Sequence, residues 1–311
     1  MTRRVMLGAL GAASLPAAAA PLRDTWRDAA RGRDIPVLLR LPAAAGPRPV
    51  VIVSHGLGGS REGLGYLGEA FAQAGWIAVH LQHPGSDDSV WRGAGAGMAG
   101  LAAAALDVTQ AAARLLDGIF AVEEVLRRTA RAGDALAGRV DGARLAVAGH
   151  SYGAWTVQHL VGQRIPGGDR GIPLPERRLK AGIALSPLPP RGLPPRLAFS
   201  RVATPMLHVT GTLDSSFVDG TTPADREIPF RSIEGVAQAL VVFDGATHAA
   251  FAGEPAAGAR WADETFHART AGIAVLFLRA ILEGDAAART TLRAGAAGLV
   301  APGDRVEIKA I

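Results

Sequence analysis

The chain contains no cysteine, which removes disulfides, thiolate metal sites and a cysteine nucleophile together. That absence leaves the compartment open, because a large apolar core can hold an exported protein without covalent staples. Lysine is nearly absent as well: Lys180 and Lys309 are the only two, and the positive charge rests on arginines scattered along the chain. There is no long basic run, so the formal net charge of +5 does not describe a nucleic-acid binder. Arg127, Arg128 and Arg131 stand beside Glu123 and Glu124 and read as a solvated, partly paired helix face; Arg177 and Arg178 beside Glu176 read the same way. Also missing is an apolar stretch of the roughly 20 residues that a membrane span requires.

The chain opens with Thr2-Arg3-Arg4, an apolar run Val5 to Ala13, and the small residues Ala17 to Ala20. Residues 1–20 are therefore expected to be an export leader, removed on the way to the periplasm or the exterior. Paired arginines suit either twin-arginine export or an ordinary basic leader. Cleavage would take two arginines with it and leave a charge of about +3. The remaining residues, 21–311, are rich enough in apolar side chains for one large catalytic domain, with 49% of the chain hydrophobic.

Strand and helix signals alternate along that length. Trp26 to Ala29 and Ile35 to Leu41 flank the turn Arg31-Gly32-Arg33-Asp34 and predict an antiparallel hairpin at a sheet edge, where Pro36 is tolerable. Val50 to Ser54 is apolar without alternation, as expected of a strand buried on both faces of a parallel sheet. Trp76 to Leu81, Leu145 to Ala148, Ala181 to Leu185, Met206 to Thr210 and Leu240 to Phe243 repeat the theme. Helix-favouring stretches lie between and after them at 64–75, 106–132, 154–163 and 263–283, with Phe120, Val122, Val125 and Leu126 at helical spacing, and the alanine-rich stretches 99–105 and 286–297 read as small-residue helix. The expectation is an α/β fold with a doubly wound, mostly parallel sheet and helices on both faces. Two long aperiodic loops, 163–179 and 213–235, are expected to border or cover a site.

The strongest local signal is Gly149-His150-Ser151-Tyr152-Gly153, set between the strand ending at Ala148 and the helix-forming Ala154 to Val161. A G-x-S-x-G turn between strand and helix lifts one hydroxyl above a sheet, and its glycines leave room where the two elements approach. Ser151 is thus the candidate nucleophile. A serine is a poor nucleophile at neutral pH without a base, and the base needs a carboxylate to orient it. His248 and Asp214 stand just past the ends of later strands, in the order serine, acid, histidine. Asp219, Asp225 and Asp244 compete for the acid and read as loop carboxylates. His208 reads as a core histidine, His159 as mid-helix and His267 as the start of a surface helix. The developing oxyanion needs fixed donors, expected from the backbone N–H groups of Tyr152 and of Leu57 in the loop Ser54-His55-Gly56-Leu57-Gly58-Gly59-Ser60. His80 and His83 flank a strand end and are placed to line the site. In His83-Pro84-Gly85-Ser86-Asp87-Asp88 the adjacent acids read as loop caps before they read as a cation site. Trp91, Trp155 and Phe217 are read as apolar walls for a substrate or, equally, as ordinary core.

With these residues in view, Ser54 to Gly58, Ala74 to Val79 and Gly149 to Gly153 resemble the platelet-activating factor acetylhydrolase family and the bacterial proteins called predicted dienelactone hydrolases. The likeness runs over roughly residues 24 to 285. It implies an α/β-hydrolase fold and a secreted-type serine esterase that needs no metal or other cofactor and takes small or lipid-derived esters as its partners. Two departures are informative. The animal acetylhydrolases carry the acid just after the strand that follows the elbow, where this chain has Ser186, and true dienelactone hydrolases use cysteine, which this chain lacks.

Overall fold

The computed structural model describes residues 20–92, 97–167, 170–216, 218–253 and 264–311. The expected leader, apart from Ala20, and Phe217 lie outside these residues. Among the described residues nine strands form one sheet: β1 (Leu22–Asp28), β2 (Arg33–Arg40), β3 (Arg48–Ser54), β4 (Ile77–Leu81), β5 (Val140–His150), β6 (Leu179–Leu185), β7 (Met206–Leu213), β8 (Gln238–Thr247) and β9 (Arg305–Lys309). Their spatial order is β1-β2-β4-β3-β5-β6-β7-β8-β9. From β4 to β8 all neighbours run parallel, while β1, β2 and β9 join antiparallel at the two edges.

Parallel pairing of this kind follows from strands that are apolar on both faces. In β3, Val51 and Val53 join one apolar cluster and Val50 and Ile52 the other, so the period-2 alternation of a strand delivers buried side chains in both directions. The first cluster packs under helices α1 (Gly65–Gln73), α5 (His267–Leu282) and α6 (Ala286–Arg293), through Phe71 and Phe277 among others. The second packs under α3 (Val108–Thr129) and α4 (Tyr152–Leu160), through Leu115, Val122 and Val157. Both α3 and α6 start where an aspartate accepts the first free amides: Asp107 from Thr109 and Gln110, Asp285 from Ala287 and Ala288. A further helix, α2 (Gly97–Leu106), carries no charged residue. Among the described residues no helix is long and apolar enough to cross a membrane.

The element boundaries extend several expectations. The hairpin strands are longer than read, the elbow helix starts at Tyr152, and β9 was not anticipated. The loop 163–179 holds a two-residue strand pair, Arg164–Ile165 with Ile172–Pro173, and the loop 213–235 holds a 3-10 turn at Asp225–Glu227 and a short helix, Ile228–Ser232.

Because six consecutive strands are parallel, their carboxyl ends lie along one edge, and the loops that follow β3, β4, β5, β6, β7 and β8 gather there. Those loops bring Ser54, His83, Ser151, Ser186, Asp214 and His248 to the same side of the molecule.

The core is also rich in neutral imidazole. Six of the eight histidines, His55, His80, His83, His150, His159 and His208, are buried. Burial pushes each below its ordinary value of 6.5: to about 4 at His80, His83 and His159, to about 3 at His208, and well below at His55 and His150. As pH falls the unfolded chain takes up protons before the folded one does, so stability is lost from about pH 6.5 down to about pH 4 and is unaffected by these groups above about pH 7. The urea midpoint measured across that window should fall steadily, and a flat midpoint would contradict the reading of these rings as neutral.

Candidate active site

Strand β5 ends at His150, helix α4 begins at Tyr152, and Ser151 makes the whole turn between them at φ 54 and ψ −116. A non-glycine residue in that region is strained and persists only where the surroundings hold it. Two glycines make the hold possible. A Cβ on Gly149 would stand 2.4 Å from the carbonyl oxygen of Gly153, and one on Gly153 would stand 2.0 Å from that of Ser54. The Ser151 amide donates to the Leu185 carbonyl at 2.9 Å, tying the turn to β6.

The hydroxyl raised by this turn meets the imidazole that follows β8. His248 Nε2 lies 3.0 Å from Ser151 Oγ, and His248 Nδ1 lies 2.7 Å from Asp214 Oδ1, just past β7. Nδ1–H donates to the carboxylate, which leaves Nε2 free to accept the serine proton. Asp214 is fully buried, and its other oxygen accepts from the Thr210 hydroxyl at 2.7 Å. Burial alone would push this carboxyl up, but the hydrogen bond from His248 and the charge of Arg226 win and hold it down at about 2. His150 fixes the base from behind, its Nε2–H donating to the His248 carbonyl at 3.0 Å with the two rings 4.8 Å apart.

The competing acids hold loops instead. Asp219 accepts from the Thr221 amide, Asp225 from the amide and hydroxyl of Thr222, and Asp244 from the Thr212 hydroxyl. His208 is buried in β7 against Gln238, as expected of a core histidine, and His267 begins α5 with its ring stacked on Tyr66. His159 departs from its reading: it lies at the end of α4, where its Nδ1 donates to the Gln163 carbonyl and its ring packs on Trp155.

Tyr152 opens α4, so its N–H belongs to the first helical turn and has no carbonyl a turn earlier to bind. Gly56 passes so close to the elbow that a Cβ there would lie 3.6 Å from the Ser151 Cβ, which brings the next residue, Leu57, to the same place. The Gly56–Leu57 peptide is aimed by a relay. The His83 amide donates to His55 Nε2 at 3.1 Å, so the His55 proton sits on Nδ1 and is donated to the Gly56 carbonyl at 2.6 Å.

Beneath this loop lies a second line of the same residue types. Ser54 Oγ is 2.9 Å from His83 Nε2, and His83 Nδ1 is 3.0 Å from Asp117, whose carboxylate is held well below its usual range, against its burial, by His83 and Arg33. All three are buried, and Arg114 fills the remaining space by donating to Ser54 Oγ, the His55 carbonyl, Ser86 Oγ and Thr156 Oγ1. Its guanidinium lies 4.5 Å over the ring of Tyr152. One buried cation thus joins the loop that carries Leu57 to the helix that carries Tyr152.

The structure corrects three expectations. His80 is buried in β4, where its Nδ1–H donates to the Gly63 carbonyl at 3.0 Å, and it does not line the cavity. His83 does not touch substrate space; it is fully buried and braces the strand ends. Trp91 is no wall either, because its indole N–H donates to the Gly58 carbonyl at 2.7 Å and so holds the loop. Trp155 does line the cavity above Ser151, with Leu57, Met98, Leu101, Leu188 and Val218. The cavity measures about 680 Å³, and parts of both long loops line it, Gln163 and Pro166 from one and Ser216 and Asp219 from the other.

Arg226, Arg114, Asp117 and Thr210 escaped the sequence reading. Arg226 sits in an aperiodic loop and Arg114 and Asp117 look like the polar face of a long helix, so only coordinates bring them to the strand ends. Thr210 ends an apolar strand and shows its role only once Asp214 is placed.

No protein-family model matches the chain, and no curated protein matches it with significance.

The closeness of the elbow to β3 is testable without any substrate. Gly153→Ala must drive a methyl into the Ser54 carbonyl and should cost about 2 kcal/mol or more by denaturant unfolding. Gly133→Ala, at φ +80 with nothing within 4 Å of an added Cβ, carries backbone strain alone, about 1 kcal/mol. Equal costs at the two positions would mean that the elbow is not packed as described.

Proposed function

We propose that this chain is a serine hydrolase of the α/β-hydrolase fold that cleaves small or lipid-derived carboxylic esters through an acyl-enzyme on Ser151. The observation that carries the reading is the line from Asp214 through His248 to Ser151, at 2.7 and 3.0 Å, on the floor of an open apolar cavity. In that geometry His248 takes the Ser151 proton as Oγ attacks the ester carbonyl, and Asp214 stabilises the imidazolium that forms. The N–H groups of Leu57 and Tyr152 receive the oxyanion. His248 then gives its proton to the departing alkoxide, and a water, activated by the same ring, releases the acid.

The cavity volume lies within the ~300–1,000 Å³ of small-molecule sites. Its apolar lining suits an acyl or alcohol chain of modest length. The basic, small-residue N-terminus supports action in the periplasm or outside the cell.

Labelling by a fluorophosphonate probe and hydrolysis of p-nitrophenyl esters of increasing chain length test the reading together. Wild type should label and turn over short esters faster than matched amides or polyesters, and Ser151→Ala should do neither. His248→Ala should lower kcat by about 10⁴ or more. A wild-type protein that neither labels nor hydrolyses any member of the panel would end the proposal, while preference for amides or polymers would keep the triad and change the bond.

A further inference from the structure

Arg226 is 1% exposed, and it reaches every wall of the acid–base pair. Its Nη1 donates to the carbonyls of Ser186 at 3.2 Å and Pro187 at 3.3 Å, on the loop after β6. Its Nε donates to the Asp214 carbonyl at 3.3 Å and stands 3.4 Å from Asp214 Oδ1, on the loop after β7. Its Nη2 lies 3.2 Å from His248 Nδ1, on the loop after β8.

This last contact is not an ordinary hydrogen bond. Nδ1 has one proton in the neutral ring, and it goes to Asp214 at the shorter distance of 2.7 Å, so the nitrogen has no lone pair to offer the guanidinium. What remains is a permanent positive charge against the edge of the imidazole. Asp214 Oδ1 lies between the two as their shared anion.

We propose that Arg226 is a positioning residue of this site: it ties the loop after β6 to the loop after β7 and aims the Asp214 carboxylate at His248. The proposal rests on the triad reading above. Among the described residues, the charged and titratable groups facing His248 are Asp214 from the loop after β7, Arg226 from the 3-10 turn, and His150 and Ser151 from the end of β5. His150 is kept neutral by burial, and Asp219 and Asp225 act on Arg226 itself as compensating charges. Arg226 is therefore the only cation at the ring among these groups. A guanidinium suits the position because its planar fork reaches three carbonyls and a carboxylate at once, which an ammonium cannot do.

Two variants test the fork. Arg226→Gln removes the charge and keeps an amide donor; Arg226→Lys keeps the charge and loses the fork. Each is read twice, by kcat and KM for an ester and by the low-field proton NMR signal of the His248 Nδ1–H held by Asp214, which needs no turnover. In both variants kcat should fall about tenfold at unchanged KM, and the Nδ1–H signal should move upfield or broaden, because Asp214 is no longer aimed at the ring. Arg226→Met is the second neutral variant if the glutamine protein does not fold. Folded variants with wild-type kcat and an unmoved Nδ1–H signal would overturn the proposal, leaving Arg226 a structural residue. Should the wild type hydrolyse no ester, the function proposed above fails, and the Nδ1–H signal still decides the part played by Arg226.

Discussion

The chemistry assigned to this fold depends on one hydrogen bond, the 3.0 Å contact between Ser151 Oγ and His248 Nε2, made by residues 97 positions apart. Neither partner reaches the other by local structure. Ser151 is lifted by a strained turn that only Gly149 and Gly153 allow, and His248 follows a strand three places away across the sheet. Parallel pairing makes the meeting possible, because it sends the carboxyl ends of β5 and β8 to the same edge. Core packing on both faces of the sheet therefore supports the site as much as the polar contacts do.

The second line of serine, histidine and aspartate shows what contact geometry alone does not decide. Ser54, His83 and Asp117 repeat the distances of the site within a few tenths of an ångström, yet they are sealed from solvent, and Arg114 occupies the space a substrate would need. Access to a cavity distinguishes the hydroxyl of Ser151 from that brace. The two lines are joined, since the buried one braces the loop that carries Leu57 beside the exposed one. Buried arginines close each assembly, Arg114 under the loop that carries Leu57 and Arg226 beside Asp214 and His248. Such groups leave water only because each ends in several hydrogen bonds.

Much of this was legible in the sequence, and the reasons are physical. β-Branched runs without alternation, as in Val50 to Val53, can only be strands covered on both sides, and a glycine-flanked serine between strand and helix marks a turn tight enough to raise its hydroxyl above the sheet. Asp214 and His248 were placed by their positions just past strand ends. The misreadings came where role depends on the direction of a side chain. His83 also follows a strand, and only its burial shows that it points under the loop and not into the cavity. Trp91 carries a large apolar ring, but its indole N–H determines its place. Strand β9 was missed because Arg305 to Lys309 alternates charge with apolar side chains over only five residues, too short a signal to separate from a loop.

The most direct test is to catch the covalent intermediate. A stopped reaction with p-nitrophenyl acetate, quenched in acid within the first turnover and mapped by peptide mass, should show one acetyl group per chain on the peptide containing Ser151, absent in Ser151→Ala. Acetyl found on another residue, or ester cleavage with no acyl-enzyme at any time, would contradict the account.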